Sequence, residues 1–243
     1  MFHAGIDLHK KYSYIVVLND QGDVVSQDRV ENDNILAYLE AFSEPLQVTF
    51  EATYNWQQLY DVLDGHVARL VLAHPKQVKA IAAAKVKTDR IDARVLADLL
   101  RVNLLPIAYA APQPIRDLRD LMRHRVQLVR QRTQIKNRIH AVLARYPLSR
   151  VPGGLFSKRG RAYLQTVTLR PSHRTILDDD LWVLDQLNQR IHERDKQIAR
   201  LARSQPEAHL LTTIPGVGPF SALMIIAELG DIGRFTTPKQ VAS

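Results

Sequence analysis

Three short β-rich runs at the start of the chain constrain its fold more than any other feature. They cover residues 2–8, 12–18 and 24–29, and only short polar segments separate them. Connections of this length join antiparallel neighbours, whereas a parallel crossover needs a dozen residues or more. The N-terminal segment is therefore predicted to form a three-stranded antiparallel meander.

Helices and strands alternate in the residues that follow. A helical pattern covers residues 32–42, and a strand pattern covers residues 46–51. A second helix begins after residue 51, and another strand pattern covers residues 67–73. A basic helix at residues 76–84 follows, and a further helix begins near residue 89. The predicted order is β-β-β-α-β-α-β-α, which is typical of an α/β domain. We place this domain at residues 1–105.

Two acidic residues stand at predicted strand ends. Asp7 lies near the end of the first strand in an apolar context, and Glu51 ends the fourth strand. An unpaired carboxylate in apolar surroundings is costly, and ligands bind at the carboxyl ends of strands in open α/β sheets. A divalent cation would satisfy Asp7, and so would the backbone or the neighbouring Lys10 or Lys11. His9 is expected to be exposed and without a role.

A second acidic pair opens the helix near residue 89. Asp89 and Asp92 are three positions apart, so they share a helix face, and Lys87 and Arg90 flank them. Helix capping alone would explain acids in a first turn. The two basic residues are candidates for contact with a nucleic-acid backbone, with a solvated face as the alternative.

Four carboxylates and the absence of cysteine define what kind of metal site is available. Without thiolates, the ligands must be oxygen or imidazole. Four carboxylates can hold two hard cations such as Mg²⁺ or Mn²⁺ about 4 Å apart, an arrangement suited to phosphodiester chemistry.

The net charge points to a polyanionic partner. Lysine and arginine number 33 against 25 acidic residues, which gives a formal net charge of +8. Much of the excess lies on a long helical pattern over residues 115–146, where the opposing acids are Asp117 and Asp120. The cations of this helix are Arg116, Arg119, Arg123, Arg125, Arg130, Arg132, Lys136, Arg138 and Arg145. Such one-sided charge favours phosphate contact over a solvated face.

The rest of the chain is predicted to be helical. A proline-rich linker at residues 106–114 opens a basic region that extends to residue 205, and residues 147–171 are expected to be irregular. A second long helix at 173–204 has apolar residues at near-heptad spacing, so the two long helices are expected to form a coiled-coil hairpin. Its apolar stripe must be buried within the chain or against another subunit.

The segment at residues 206–243 has the form of a helix-hairpin-helix. Gly216 and Gly218 follow Ile214-Pro215 and are expected to turn the backbone tightly. Amides at the start of the next helix can then hold a DNA phosphate without reading bases.

Together these motifs resemble a known family. Gly5-Ile6-Asp7, Glu51-Ala52-Thr53 and the run from Lys87 to Ala93, in this element order, resemble the ribonuclease H-like fold. More narrowly, they resemble the RuvC-like catalytic domain of DEDD-type bacterial insertion-sequence transposases, the RNA-guided bridge recombinases. The resemblance implies a DNA transposase or recombinase. Its catalytic and metal-binding residues would be Asp7, Glu51, Asp89 and Asp92, with Mg²⁺ or Mn²⁺ as cofactor.

The resemblance also implies partners. It implies DNA as substrate, a guide RNA, and assembly as a homo-oligomer, either a dimer or a tetramer. In the family, the C-terminal domain extends further and supplies a nucleophilic serine, which Ser243 does not match. A truncated form is therefore expected, with a partial helix-hairpin-helix domain and incomplete recombination activity.

Two alternatives remain open at this stage. A Holliday-junction-resolving nuclease would share the fold but use water as its nucleophile, and a non-catalytic nucleic-acid-binding protein would rely on the basic helix alone. No apolar run is long enough to span a membrane, so a cytoplasmic, nucleoid-associated protein without a membrane partner is expected.

Overall fold

A mixed sheet of five strands organises the first 110 residues. The computed structural model describes residues 1–81, 88–148 and 153–242. The strands are β1 (Phe2–Leu8), β2 (Tyr12–Leu18), β3 (Val24–Glu31), β4 (Leu46–Glu51) and β5 (Arg69–Ala73). Their spatial order is β3-β2-β1-β4-β5, with β1, β2 and β3 antiparallel and with β4 and β5 parallel to β1. The predicted meander and the alternating elements after it are confirmed.

Four α-helices accompany the sheet in the described part of this unit. They are α1 (Ile35–Glu40), α2 (Trp56–Leu63), α3 (Pro75–Ile81) and α4 (Asp89–Arg101), and a short 3-10 helix at Asn32–Asn34 precedes α1. The predicted end of the basic helix, residues 82–84, lies outside the described residues. One face of the sheet packs against α1 and α2, and the other face packs against α4.

The contact between β1 and α4 is unusually close because β1 carries a glycine there. Gly5 is buried, and a Cβ atom on it would lie 2.1 Å from the carbonyl oxygen of Ala93 and 2.5 Å from the amide nitrogen of Ala97. The backbone of α4 therefore packs directly on β1. Val16 and Leu18 of β2 close the contact around the two alanines.

Residues 111–243 form a second compact unit. Its α-helices are α5 (Gln113–Leu143), α6 (Lys158–Thr166), α7 (Pro171–Ser204), α8 (Pro206–Thr212), α9 (Pro219–Leu229) and α10 (Pro238–Ala242). A 3-10 helix occupies Ile232–Arg234. The two long helices are confirmed. The prediction that residues 147–171 are irregular is wrong for α6, in which Ser157 caps the helix and Leu164 is fully buried.

The apolar stripes of the long helices are buried within this unit. Met122 of α5 and Ile198 of α7 share a core with Leu223 of α9. Further along the same helices, Ile139 and Leu177 pack with Leu164 of α6. Of the two outcomes left open for the stripe, cover by the chain itself is found at these two places, whereas Leu187 between them is only partly buried.

The turn between α8 and α9 contains two glycines, and the backbone conformation requires glycine at one of them. Gly216 has a φ of 89°, a region that disfavours side chains, whereas Gly218 has a φ of −89° and a ψ of 175°. The expectation of a tight glycine turn thus holds for Gly216. It is wrong for Gly218, whose extended backbone any residue adopts.

The β1 and α4 contact leads to a prediction for Gly5→Ala. The added methyl group meets backbone atoms of α4 that cannot rotate away, so we expect a loss of about 1–3 kcal/mol in the free energy of unfolding. Chemical denaturation measures this loss. Gln27→Ala, on the exposed face of the edge strand β3, serves as control and should change stability by less than about 0.5 kcal/mol. Equal stabilities of the two variants would contradict the close contact.

Candidate carboxylate active site

Asp7 lies at the end of the central strand β1 and is only partly solvated. Its side chain is 25% exposed. Burial raises the pKa of the Asp7 carboxyl above its ordinary value, the nearby His9 opposes this, and the negative charges of Asp92 and Asp89 raise the pKa further. Two of the predicted acids are therefore close enough to Asp7 to influence its proton.

Glu51 and Asp92 face the same cavity as Asp7. Glu51 ends β4 in register with Ala73 of the parallel strand β5, and Asp92 lies in the first turn of α4. A cavity of about 280 Å³ is lined by all three carboxylates. The residue that caps α4 is Thr88, whose hydroxyl accepts a hydrogen bond from the amide of Ile91 at 3.3 Å. Capping is thus performed by a residue other than the two aspartates.

Asp89 joins the group through His9. The Nε2 atom of His9 lies 3.1 Å from Oδ2 of Asp7 and 3.3 Å from Oδ2 of Asp89. The expectation that His9 is simply exposed is incomplete: its side chain is 38% exposed, but its Nε2 atom also bridges the two carboxylates. The sequence offered no sign of this contact beyond the closeness of His9 to Asp7.

The donor atoms fit a divalent cation. One ligand atom from each of Asp7, His9 and Asp89 lies within 4.8 Å of the others. Carboxylate oxygens are the ligands that Mg²⁺ and Mn²⁺ prefer, and clustered carboxylates repel one another without a cation between them. The residues present are therefore suitable for such an ion.

Two lysines that the sequence analysis did not select line the same cavity. Lys76 and Lys79 lie on α3 and are exposed. The only signal for them was the basic character of the helix that follows β5. Of the flanking residues that were selected, Arg90 is exposed on α4, and Lys87 lies outside the described residues.

Several cations of α5 pair with acids from other helices. Arg123 donates to both carboxylate oxygens of Glu228 in α9 at 2.8 Å, which lowers the pKa of the Glu228 carboxyl. Arg138 pairs at 2.9 Å with Asp180 of α7, a residue that is almost fully buried. The premise that only Asp117 and Asp120 oppose these charges is wrong.

Two more cations of α5 have partners within the unit, one of them an acid and the other a backbone carbonyl. Arg125 pairs with Asp195 at 2.9 Å, and the buried Arg116 donates to the carbonyl oxygen of Ala111. Much of the one-sided charge of α5 is therefore balanced inside the unit.

The remaining selected residues of this unit are more accessible. Arg130 is exposed, and the ammonium group of Lys136 lies 4.9 Å from the ring centre of Phe156. Gly216 and Gly218 are exposed in the turn before α9.

The fold and the site define an α/β domain whose carboxylates converge at the carboxyl ends of its central strands. Residues 4–147 match the DEDD_Tnp_IS110 family model, described as a transposase. Residues 208–243 match a second model, described as the transposase IS116/IS110/IS902 family. The chain belongs to the DEDD transposases of insertion sequences of the IS110 type.

Similar proteins carry matching names. The chain is 24% identical to the transposase for insertion sequence element IS1111A of Coxiella burnetii, over 98% of this chain and 66% of that protein. It is 26% identical to a probable family 20 transposase of Pseudomonas aeruginosa, over 98% and 71%. It is 23% identical to an uncharacterized protein of insertion element IS116 of Streptomyces clavuligerus, over 99% and 74%. The chain thus spans between 66% and 74% of the length of these relatives.

Membrane insertion finds no support among the described helices. Across residues 1–81, 88–148 and 153–242, none has both the length and the apolar character needed to cross a bilayer.

The raised pKa of Asp7 leads to a prediction for the metal-free protein. The folded chain keeps this proton to a higher pH than the unfolded chain, so its contribution to stability falls as pH rises from the ordinary value of 3.8 through the raised pKa. Asp7→Asn removes the titrating group, so we expect its melting temperature, measured relative to that of the wild type at the same pH, to rise with pH across this window. Thermal melts in chelator at a series of pH values measure the difference.

Asp117→Asn is the matched control, since Asp117 is exposed on α5. Its melting temperature should follow the wild-type pH dependence. A parallel profile for Asp7→Asn would mean that burial and the neighbouring carboxylates do not act on Asp7.

Proposed function

We propose that this transposase acts on DNA phosphodiesters at a divalent-cation site formed by Asp7, Glu51, Asp89 and Asp92. The supporting observation is their convergence: three of the carboxylates line one cavity, and His9 joins the fourth to Asp7. Acids brought together from β1, β4 and α4 without a cation would only destabilise the fold.

The sheet supports a ribonuclease H-like, RuvC-like assignment for this unit. Its order, β3-β2-β1-β4-β5, places the central strand β1 between an antiparallel hairpin and two parallel strands. We further propose that α5 and α7 act as a coiled-coil hairpin. We also assign α8, the Gly216 turn and α9 to a helix-hairpin-helix that holds a DNA phosphate.

The residues of the chain have separate tasks in this scheme. The four carboxylates hold the cations, and Lys76 and Lys79, which line the same cavity and are exposed, bind the DNA backbone. When bound, Mg²⁺ or Mn²⁺ supplies Lewis-acid stabilisation of the charge that develops on the phosphodiester oxygens.

Strand exchange needs further parts. The resemblance to bridge recombinases implies a serine nucleophile, and we assign that role to no residue of this chain. DNA is the substrate we propose, with a guide RNA and assembly as a dimer or tetramer as further proposals from the same resemblance.

The proposal predicts the effect of Glu51→Gln. This change keeps the size of the side chain and removes the charge that holds a cation, so we expect the rate of DNA processing to fall by roughly 10²–10³-fold while folding is preserved. The assay uses a form of the protein that carries the serine nucleophile, together with the guide RNA, Mg²⁺ or Mn²⁺, and a plasmid that carries the ends of the element, with strand cleavage and joining as readouts.

Glu44→Gln provides the matched control, because Glu44 is an exposed acid of the same unit. It should process DNA at the wild-type rate. Wild-type activity of Glu51→Gln would remove Glu51 from the mechanism. Free DNA ends without a protein adduct would favour the junction-resolving nuclease, and DNA binding without any cation-dependent processing would favour the non-catalytic alternative.

The cations of α5 give a second prediction for DNA binding. Arg130 is exposed, so Arg130→Ala should weaken duplex binding and reduce the salt dependence of the affinity by about one counterion. Arg123→Ala should leave the salt dependence unchanged and lower stability by at most about 1 kcal/mol, because Arg123 is paired with Glu228 at the surface. Fluorescence anisotropy at several salt concentrations measures the first effect, and chemical denaturation measures the second. Identical salt slopes for the wild type and Arg130→Ala would exclude phosphate contact at Arg130.

A further inference from the structure

We propose that His9 is a nitrogen ligand of the cation that Asp7 and Asp89 hold. The inference rests on the proposed function and goes beyond it, since the family resemblance implies carboxylate ligands only. A site with one imidazole ligand differs chemically from one built of carboxylates, because imidazole is softer and binds transition metals better than Mg²⁺.

The spacing of the donor atoms supports this role. The Nε2 atom of His9 lies 3.1 Å from Oδ2 of Asp7 and 3.3 Å from Oδ2 of Asp89. Adjacent ligands of an octahedral ion with bonds of about 2.1 Å are about 3.0 Å apart. The Nε2 atom of His9 therefore already stands near the separation from each carboxylate oxygen that one ion requires, and His9 lies between the two carboxylates.

The imidazole ring is held in this orientation by an aromatic neighbour. Its centre lies 5.3 Å from the ring centre of Tyr12, with the two planes tilted by 34°. The guanidinium of Arg29 covers the ring of Tyr12 at 3.6 Å. A ring packed in this way loses little rotamer freedom when it binds an ion.

The backbone of His9 is fixed as well. Its carbonyl oxygen accepts hydrogen bonds from the side-chain amides of Asn32 at 2.9 Å and Asn55 at 3.2 Å. The Asn32 amide is oriented in turn by the buried hydroxyl of Ser13, which donates to it at 2.8 Å. Two segments distant in sequence thus hold a residue that would otherwise be an ordinary turn histidine. Metal sites commonly use supporting contacts of this kind.

The test uses Mn²⁺ and a readout that is independent of catalysis. Electron spin echo envelope modulation detects a ¹⁴N nucleus bonded to Mn²⁺, so the wild-type chain should show imidazole coupling. Chains that contain ¹⁵N-labelled histidine should show the matching ¹⁵N signal, which assigns the ligand to histidine without any substitution. His9→Gln should abolish the coupling and weaken Mn²⁺ binding at least about tenfold.

The control is His66→Gln, an exposed histidine of the same unit that pairs with Glu40. It should retain both the coupling and the affinity. Bound Mn²⁺ without nitrogen coupling in the wild type would overturn the role of His9 and leave the carboxylate site intact. Coupling that persists in His9→Gln would also overturn it. Failure of the wild type to bind Mn²⁺ at all would overturn both this inference and the proposed cation site.

Discussion

The direct packing of α4 on β1 is the constraint on which the candidate site depends. Side chains alternate along a strand, so Gly5 and Asp7 lie on the same face of the sheet. Gly5 meets the backbone of α4 at Ala93 and Ala97. Asp89 lies one turn before Ala93 in that helix and Asp92 directly precedes Ala93, while Asp7 lies two residues beyond Gly5 on the strand. A larger residue at position 5 would push the helix outward and separate the carboxylates, so a contact in the core sets the geometry of the site.

This geometry brings negative charges together at a cost to the fold. The carboxyl of Asp7 is partly buried and feels two other carboxylates, which is why its pKa is raised. His9 offsets part of this cost by placing a ring nitrogen between Asp7 and Asp89. A region that is destabilised until a partner binds is typical of functional sites, and binding then stabilises the fold by an amount that grows with the logarithm of the ligand concentration.

The sequence predicted what depends on local pattern and missed what depends on distant neighbours. The strand ends at Asp7 and Glu51 could be predicted because the residue pattern of a strand, and the point where that pattern stops, are visible in the local sequence. The contact of His9 with Asp89 could not be predicted, because nothing in the sequence near His9 indicates that a helix 80 residues later packs beside it. The helix α6 was missed because Gly160 and several basic residues obscure its short amphipathic pattern. The residue of α6 that packs into the core is Leu164.

The charge of the basic helix α5 was likewise judged without its distant partners. Charges on one helix were counted against acids on that helix, yet the acids that pair with Arg123 and Arg125 are 105 and 70 positions away, on α9 and α7. An ion pair within the fold leaves less charge for a polyanion, because a phosphate must compete with the carboxylate already in place. Lys76 and Lys79 face the carboxylate cavity instead. Under the proposed function, the basic residues that lie nearest the carboxylates are therefore on the short helix α3, and exposed residues of α5 such as Arg130 are the ones we expect to add affinity for DNA.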